Sequence, residues 1–119
     1  MTNGERISPR ASVLQGTLDL MVLQTLDTMG PLHGYGMARR IEQVSEHALK
    51  LNEGTVYASL MRLVEQRWIG ASWGTSENNR KARFYAITNA GRRRLHAETE
   101  SWRRMSDIMA RLLHRGEPG

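Results

Sequence analysis

Apolar residues recur at a helical period in four stretches of the chain. In the first, Leu14, Leu18, Met21, Val22, Leu23 and Leu26 predict a helix over Val13–Met29 with a wide apolar arc, Thr17 an early cap or first-turn residue, and Gly30-Pro31 a stop. His33-Gly34 then reads as a short connector. A second helix is predicted from Tyr35 to Glu46, with Met37, Ala38, Ile41 and Val44 inside and Arg39, Arg40, Glu42 and Gln43 outside. His47 to Leu51 is too short for a helix and reads as a loop. The third stretch runs from Leu51 to Trp68. Val56, Leu60, Leu63 and Val64 form one face, and Thr55, Ala58, Ser59 and Arg62 are assigned to the other. Asn52 stands at the N-cap position and Glu53 suits the first turn.

The period then changes to two. Ile69–Gly74 and Ala82–Thr88 read as strands, and the polar GTSENNRK between them as a hairpin turn with a rather long tip. Thr88 is placed to cap a last helix, Asn89 to about His114, which ends before Gly-Glu-Pro-Gly. The order predicts a mainly α fold with one β-hairpin: a winged helix-turn-helix followed by a long C-terminal helix. The expected organisation is a flexible arm over 1–12, the winged domain over 13–88, a dimerisation helix over 89–115 and a tail over 116–119.

Composition narrows the function. The 119 residues carry 17 Lys and Arg against 12 Asp and Glu, a formal charge of +5, with a sequence pI of about 10.4. This is the electrostatic mark of a polyanion partner. The absence of cysteine excludes disulfides, thiolate metal sites and a cysteine nucleophile, and fits a reducing, cytoplasmic setting. No run of about 18 apolar residues is present, and the polar start MTNGERISPRAS does not read as a signal peptide. His33, His47, His96 and His114 are scattered without metal-ligand spacing, and no nucleophile elbow or phosphate-cradling glycine loop occurs. Neither an enzyme nor a cofactor is expected.

Three segments together resemble the PadR family of bacterial transcriptional regulators: GTLDLMVLQTLDTMGPLHGYGMARRIEQ (Gly16–Gln43), LNEGTVYASLMRLVEQRWI (Leu51–Ile69) and WGTSENNRKARFYAITNAGRRRL (Trp73–Leu95). The resemblance implies a winged helix-turn-helix that binds operator DNA as a homodimer, usually as a repressor. It further implies dimerisation through the C-terminal helix, aided by the N-terminal one. The single helix after Thr88 looks like the family's shorter class. Where such proteins often carry T-x-Y-P, this chain has Thr55-Val56-Tyr57-Ala58, a smaller outer face.

For base readout the expected residues are Thr55, Ala58, Ser59 and Arg62, with Arg62 reading guanine or else serving as a solvated charge or phosphate clamp. Tyr57 is assigned either a phosphate contact or a core role. Lys50 and Asn52 at the mouth of the third helix, and Tyr35 and Gly36 at the start of the second, are expected to meet phosphates. Asn79, Arg80, Lys81 and Arg83 form a cationic wing tip suited to the minor groove or its phosphates. Leu14, Leu18, Leu95, Trp102, Met105, Ile108, Met109 and Leu112 are the expected dimer seam. The Arg92-Arg93-Arg94 run opposes the helix dipole and lacks a rationale at this level. Trp102, Met105 and Met109 read as an interface anchor or, since some PadR-like dimers bind flat aromatic effectors, as an effector site.

Overall fold

Pro9, whose fixed φ suits a first helical position, begins α1 (Pro9–Met29), four residues before the expected Val13. Gly30 ends it in the left-handed region at φ 83°, and its N–H donates to the Leu26 carbonyl at 3.0 Å. Thr17 lies inside this helix, not at its cap. The computed structural model describes residues 9–114, with side chains from residue 15 onward. The start of the expected arm, the Leu14 side chain and the tail over 116–119 therefore lie outside the described residues.

The remaining elements are β1 (Leu32–His33), α2 (Gly34–Val44), α3 (Glu53–Glu65), β2 (Ile69–Thr75), β3 (Lys81–Ile87) and α4 (Asn89–His114). The sheet is antiparallel in the order β1-β3-β2. β1 was not anticipated, because two residues carry no periodicity; it is made by pairing Leu32 with Tyr85 and His33 with Phe84. His33 is thus a strand residue as well as the α2 N-cap, its Nδ1 accepting the Gly36 N–H at 3.0 Å. α2 ends at Val44, short of Glu46, and Val44 is exposed. Glu46 and His47 follow at positive φ and turn the chain toward α3.

Asn52 caps α3 as expected, accepting the Thr55 N–H at 2.7 Å. α3 stops at Glu65; Arg67 takes φ 65° and leads into β2. The hairpin tip is tighter than expected. The Ser76 N–H donates to the Arg80 carbonyl at 2.8 Å and the Asn79 N–H to the Ser76 carbonyl at 2.9 Å. Asn79, at φ 61°, takes the left-handed position that a short hairpin needs.

One core joins α1, α2, α3 and the sheet: Leu18, Val22, Leu23, Leu26, Met37, Ile41, Val56, Leu60, Leu63, Ile69, Tyr85 and Leu95. Leu18 and Leu95, expected in the dimer seam, are 7% and 6% exposed and are occupied inside their own protomer. α4 is fastened at its root. The Thr88 hydroxyl accepts the Gly91 N–H at 3.0 Å and donates to the Arg67 carbonyl at 2.9 Å. A Cβ on Gly91 would sit 2.0 Å from the Trp68 carbonyl oxygen, so only glycine permits this approach.

The arginine run gains a rationale here. Arg92 Nε donates to Asp27 of α1 at 3.1 Å, and the Arg94 guanidinium lies 4.6 Å from the Trp68 ring centre while pairing with Glu98. From Ser101 to His114 every residue is exposed, and Trp102, Met105, Ile108, Met109 and Leu112 form an uncovered apolar stripe. No helix among the described residues is long and apolar enough to cross a membrane.

Candidate nucleic-acid interface

The start of α2, the first half of α3 and the wing enclose an open groove of about 1240 Å³. Arg39, Arg40, Arg80, Lys81 and Arg83 all line it, so the groove is cationic on the α2 side and on the wing side. Glu53 and Glu77 are the acidic residues at its edges. Its floor is Leu60 and the buried Tyr85; burial raises the Tyr85 hydroxyl above the ordinary phenol range, with Arg83 acting in the opposite sense.

α3 presents Gly54, Thr55, Tyr57 and Ala58 outward. Thr55 and Ala58 are exposed, and Tyr57, 57% exposed, lines the groove rather than joining the core. Ser59 and Arg62 do not lie free on the outer face as expected. Ser59 is 0% exposed, and its hydroxyl donates to Asp19 Oδ1 at 2.5 Å. Arg62 donates from Nε to Asp19 Oδ2 at 3.1 Å and from Nη2 to Oδ1 at 2.7 Å. At 3.6 residues per turn Ser59 lies only about 60° from Val56, so it shares the inner face. Arg62 lies farther round, and the carboxylate of α1 draws it back. Asp19, an acid inside the apolar arc of α1, was the signal in the sequence that such a partner existed.

The start of α2 is also arranged otherwise than expected. The Gly36 N–H is committed to His33 and is not offered to a phosphate. Gly36 instead makes room for that ring, since a Cβ there would stand 3.3 Å from it. The His33 ring meets Phe84 edge-on, 5.4 Å between centroids, and so joins α2 to the wing. Tyr35 is exposed, its hydroxyl accepting from Arg39 Nη1 at 3.3 Å. In sequence Arg39 and Arg40 belong only to an outer face, because nothing local tells a helix face over a groove from one over solvent.

On the wing Arg80, Lys81 and Arg83 are exposed, with Asn79 at the turn. Lys50 and Asn52 are exposed at the mouth of α3, although Asn52 Oδ1 is engaged as the cap. A second groove, about 680 Å³ and mostly apolar, lies between α1 and α2, lined by Leu20, Met21, Ile41, Val44 and Leu49, with Trp102 of α4 at its edge. Met105 and Met109 do not line it. No cluster of His, Cys, Asp and Glu among the described residues is arranged to hold a metal ion.

Two antiparallel strands closing on a helix-turn-helix, with a cationic groove between α3 and the hairpin, define a winged helix of the nucleic-acid-binding class. The model of the PadR-like family of transcriptional regulators matches residues 22–97. The chain belongs to that family. Among solved structures it is similar to a PadR family transcription regulator from Clostridium difficile R20291, with a TM-score of 0.70 and 27% identity, covering 82% of this chain and 99% of that one. It is also similar to a transcriptional regulator from Clostridium thermocellum, with a TM-score of 0.75 and 23% identity, covering 85% and 94% of the two chains. The uncharacterised protein X of Lysinibacillus sphaericus is 25% identical over 100 residues, 84% of this chain and 91% of that protein.

Proposed function

We propose that this protein is a repressor that binds a palindromic operator as a homodimer. The observation that carries the reading is the cationic groove beside an α3 that turns the small residues Gly54, Thr55 and Ala58 outward next to Tyr57. Such a face lets the helix backbone approach base edges in a major groove, where Thr55 and Ala58 meet thymine methyl groups. Tyr57, Tyr35, Lys50 and the wing residues Arg80, Lys81 and Arg83 supply phosphate contacts, joined by Arg39 and Arg40 of α2. Ser59 and Arg62 orient α3 through Asp19 instead of reading bases.

The second copy is held along α4 by Trp102, Met105, Ile108, Met109 and Leu112. That stripe is supported as a seam by its exposure along a helix whose last 14 residues, Ser101 to His114, are all exposed. Selection of bound sites from random duplexes tests the reading. The expected product is a palindrome with half-sites about one helical turn, ~34 Å, apart. Enrichment of no sequence would make the protein a nonspecific nucleic-acid binder. No retention of duplex at all would leave a winged-helix protein-interaction module.

Release by a flat aromatic molecule is supported by the apolar groove of about 680 Å³ beside Trp102. Quenching of Trp102 emission by planar compounds, lost in Trp102→Phe, tests this; no quenching across a broad aromatic panel retires it.

A further inference from the structure

Trp73 is a large aromatic residue left 63% exposed on the wing, where burial does not account for it. In the β2–β3 register it stands directly opposite Arg83, and Thr75 stands opposite Lys81. Residues opposite one another share a face of the sheet. This is the face that carries Ala71 opposite Tyr85, and Tyr85 closes the floor of the cationic groove. Both cations of that face lie over the one indole: Lys81 Nζ is 5.3 Å from the ring centre and Arg83 Cζ is 5.7 Å from it. Each distance is within the range at which the ring quadrupole attracts a cation.

We propose that Trp73 is a positioning residue of the nucleic-acid interface, its indole holding the Lys81 ammonium and the Arg83 guanidinium pre-ordered toward phosphates at the groove. The inference rests on the DNA-binding reading above. Lysine and arginine are among the side chains that lose most rotamer freedom when fixed. Two cations already gathered over a rigid ring lose less of that freedom when DNA arrives. The indole also stays clear of the protein core, so its contribution falls on binding rather than on folding.

The experiment measures binding of the full chain to a fluorescent 30-base-pair duplex of random sequence across a potassium chloride series. The variants are Trp73→Leu, Trp73→Phe, Lys81→Ala with Arg83→Ala, and the triple variant Trp73→Leu, Lys81→Ala, Arg83→Ala. Trp73→Leu is expected to weaken binding about fivefold at every salt concentration, the equivalent of two modest cation–π contacts. Its salt slope stays that of the parent, because both cations still reach phosphates. Lys81→Ala with Arg83→Ala lowers the slope by about 1.8, from two lost phosphate contacts. The triple variant binds no more weakly than that double variant, and Trp73→Phe, which keeps a π face, stays within about twofold of the parent.

Trp73→Leu binding like the parent overturns the proposal. So does a further fivefold loss in the triple variant, since the indole would then touch DNA itself. A readout without DNA guards against a misfolded wing: with Trp68→Phe and Trp102→Phe in place, the emission of Trp73 shifts on Lys81→Ala with Arg83→Ala, and unchanged emission sinks the contact. A parent that binds no duplex at any salt removes the DNA-binding reading and this proposal with it, an outcome distinct from a parent that binds and a Trp73→Leu variant that matches it.

Discussion

Helices α3 and α4 carry the same kind of apolar stripe and end in opposite situations. The stripe of α3 is consumed at once, with Val56, Leu60 and Leu63 at 1% exposure or less. Its polar flank is tied down too, through Ser59 and Arg62 to Asp19. What remains outward near its start includes Gly54, Thr55, Tyr57 and Ala58. α4 is consumed only at its root, by Gly91 and Leu95, and then runs on with its stripe bare. Its 26 residues reach about 39 Å at 1.5 Å per residue. A helix whose greasy side is satisfied at home can offer its other side to DNA; one whose greasy side is not satisfied asks for a second chain.

Substitutions at four places in the fold break or sharpen this contrast, taken from the place with the largest expected effect on stability to the smallest. Gly91→Ala strikes the root of α4, where the new Cβ meets the Trp68 carbonyl; it should destabilise the fold by about 3 kcal/mol, read from urea unfolding, and a loss near zero would mean that the root is not clamped. Asp19→Ala strikes the flank of α3, leaving the buried Ser59 hydroxyl and the Arg62 guanidinium without their acceptor. It should cost about 2 kcal/mol, whereas Ser59→Ala, which removes the buried group itself, should cost less than about 1 kcal/mol. Equal losses in the two variants would show that the network does not hold α3 through Asp19. His33→Ala removes the cap of α2, on which α3 packs, and should cost about 1 kcal/mol, with His33→Asn recovering most of it.

Met105→Glu with Met109→Glu acts on the bare half of α4. The protomer should retain its helical content by circular dichroism, with a stability change within about 0.5 kcal/mol, while sedimentation moves from dimer to monomer. A collapse of helicity would place these side chains in the protomer core after all, and an unchanged sedimentation coefficient would remove them from the seam.

Much of this was legible in the residues. Asn52 as the cap of α3, Thr88 as the cap of α4, the Gly30-Pro31 stop and the two hairpin strands all follow from rules that act over three or four residues. The apolar faces of α1 and α3 were legible for the same reason. The errors share one cause. Ser59 sits close enough to Val56 on the helical wheel to be drawn inward, and Arg62 has its partner 43 positions away. Gly36 was read as a free amide at a helix start, yet the ring three residues before it had taken that N–H. β1 exists only because β3 is there to pair with it. Leu95 falls in the expected seam because periodicity reports that a face is apolar and does not report what covers it, and Leu18 because the family resemblance implies help from the N-terminal helix.

From the chain alone came the order of helices and strands, their caps, the positive charge and the membership of a winged-helix class, because each is a matter of neighbours within a turn or of a sum over residues. The fold alone decided which polar groups stay available: Asp19 claims Ser59 and Arg62, His33 claims Gly36, and Trp73 gathers Lys81 and Arg83. The reason is physical. A hydrogen bond or a ring contact is chosen by whatever the folded backbone brings within about 3 to 6 Å, and that set includes residues some forty positions distant which no local pattern names.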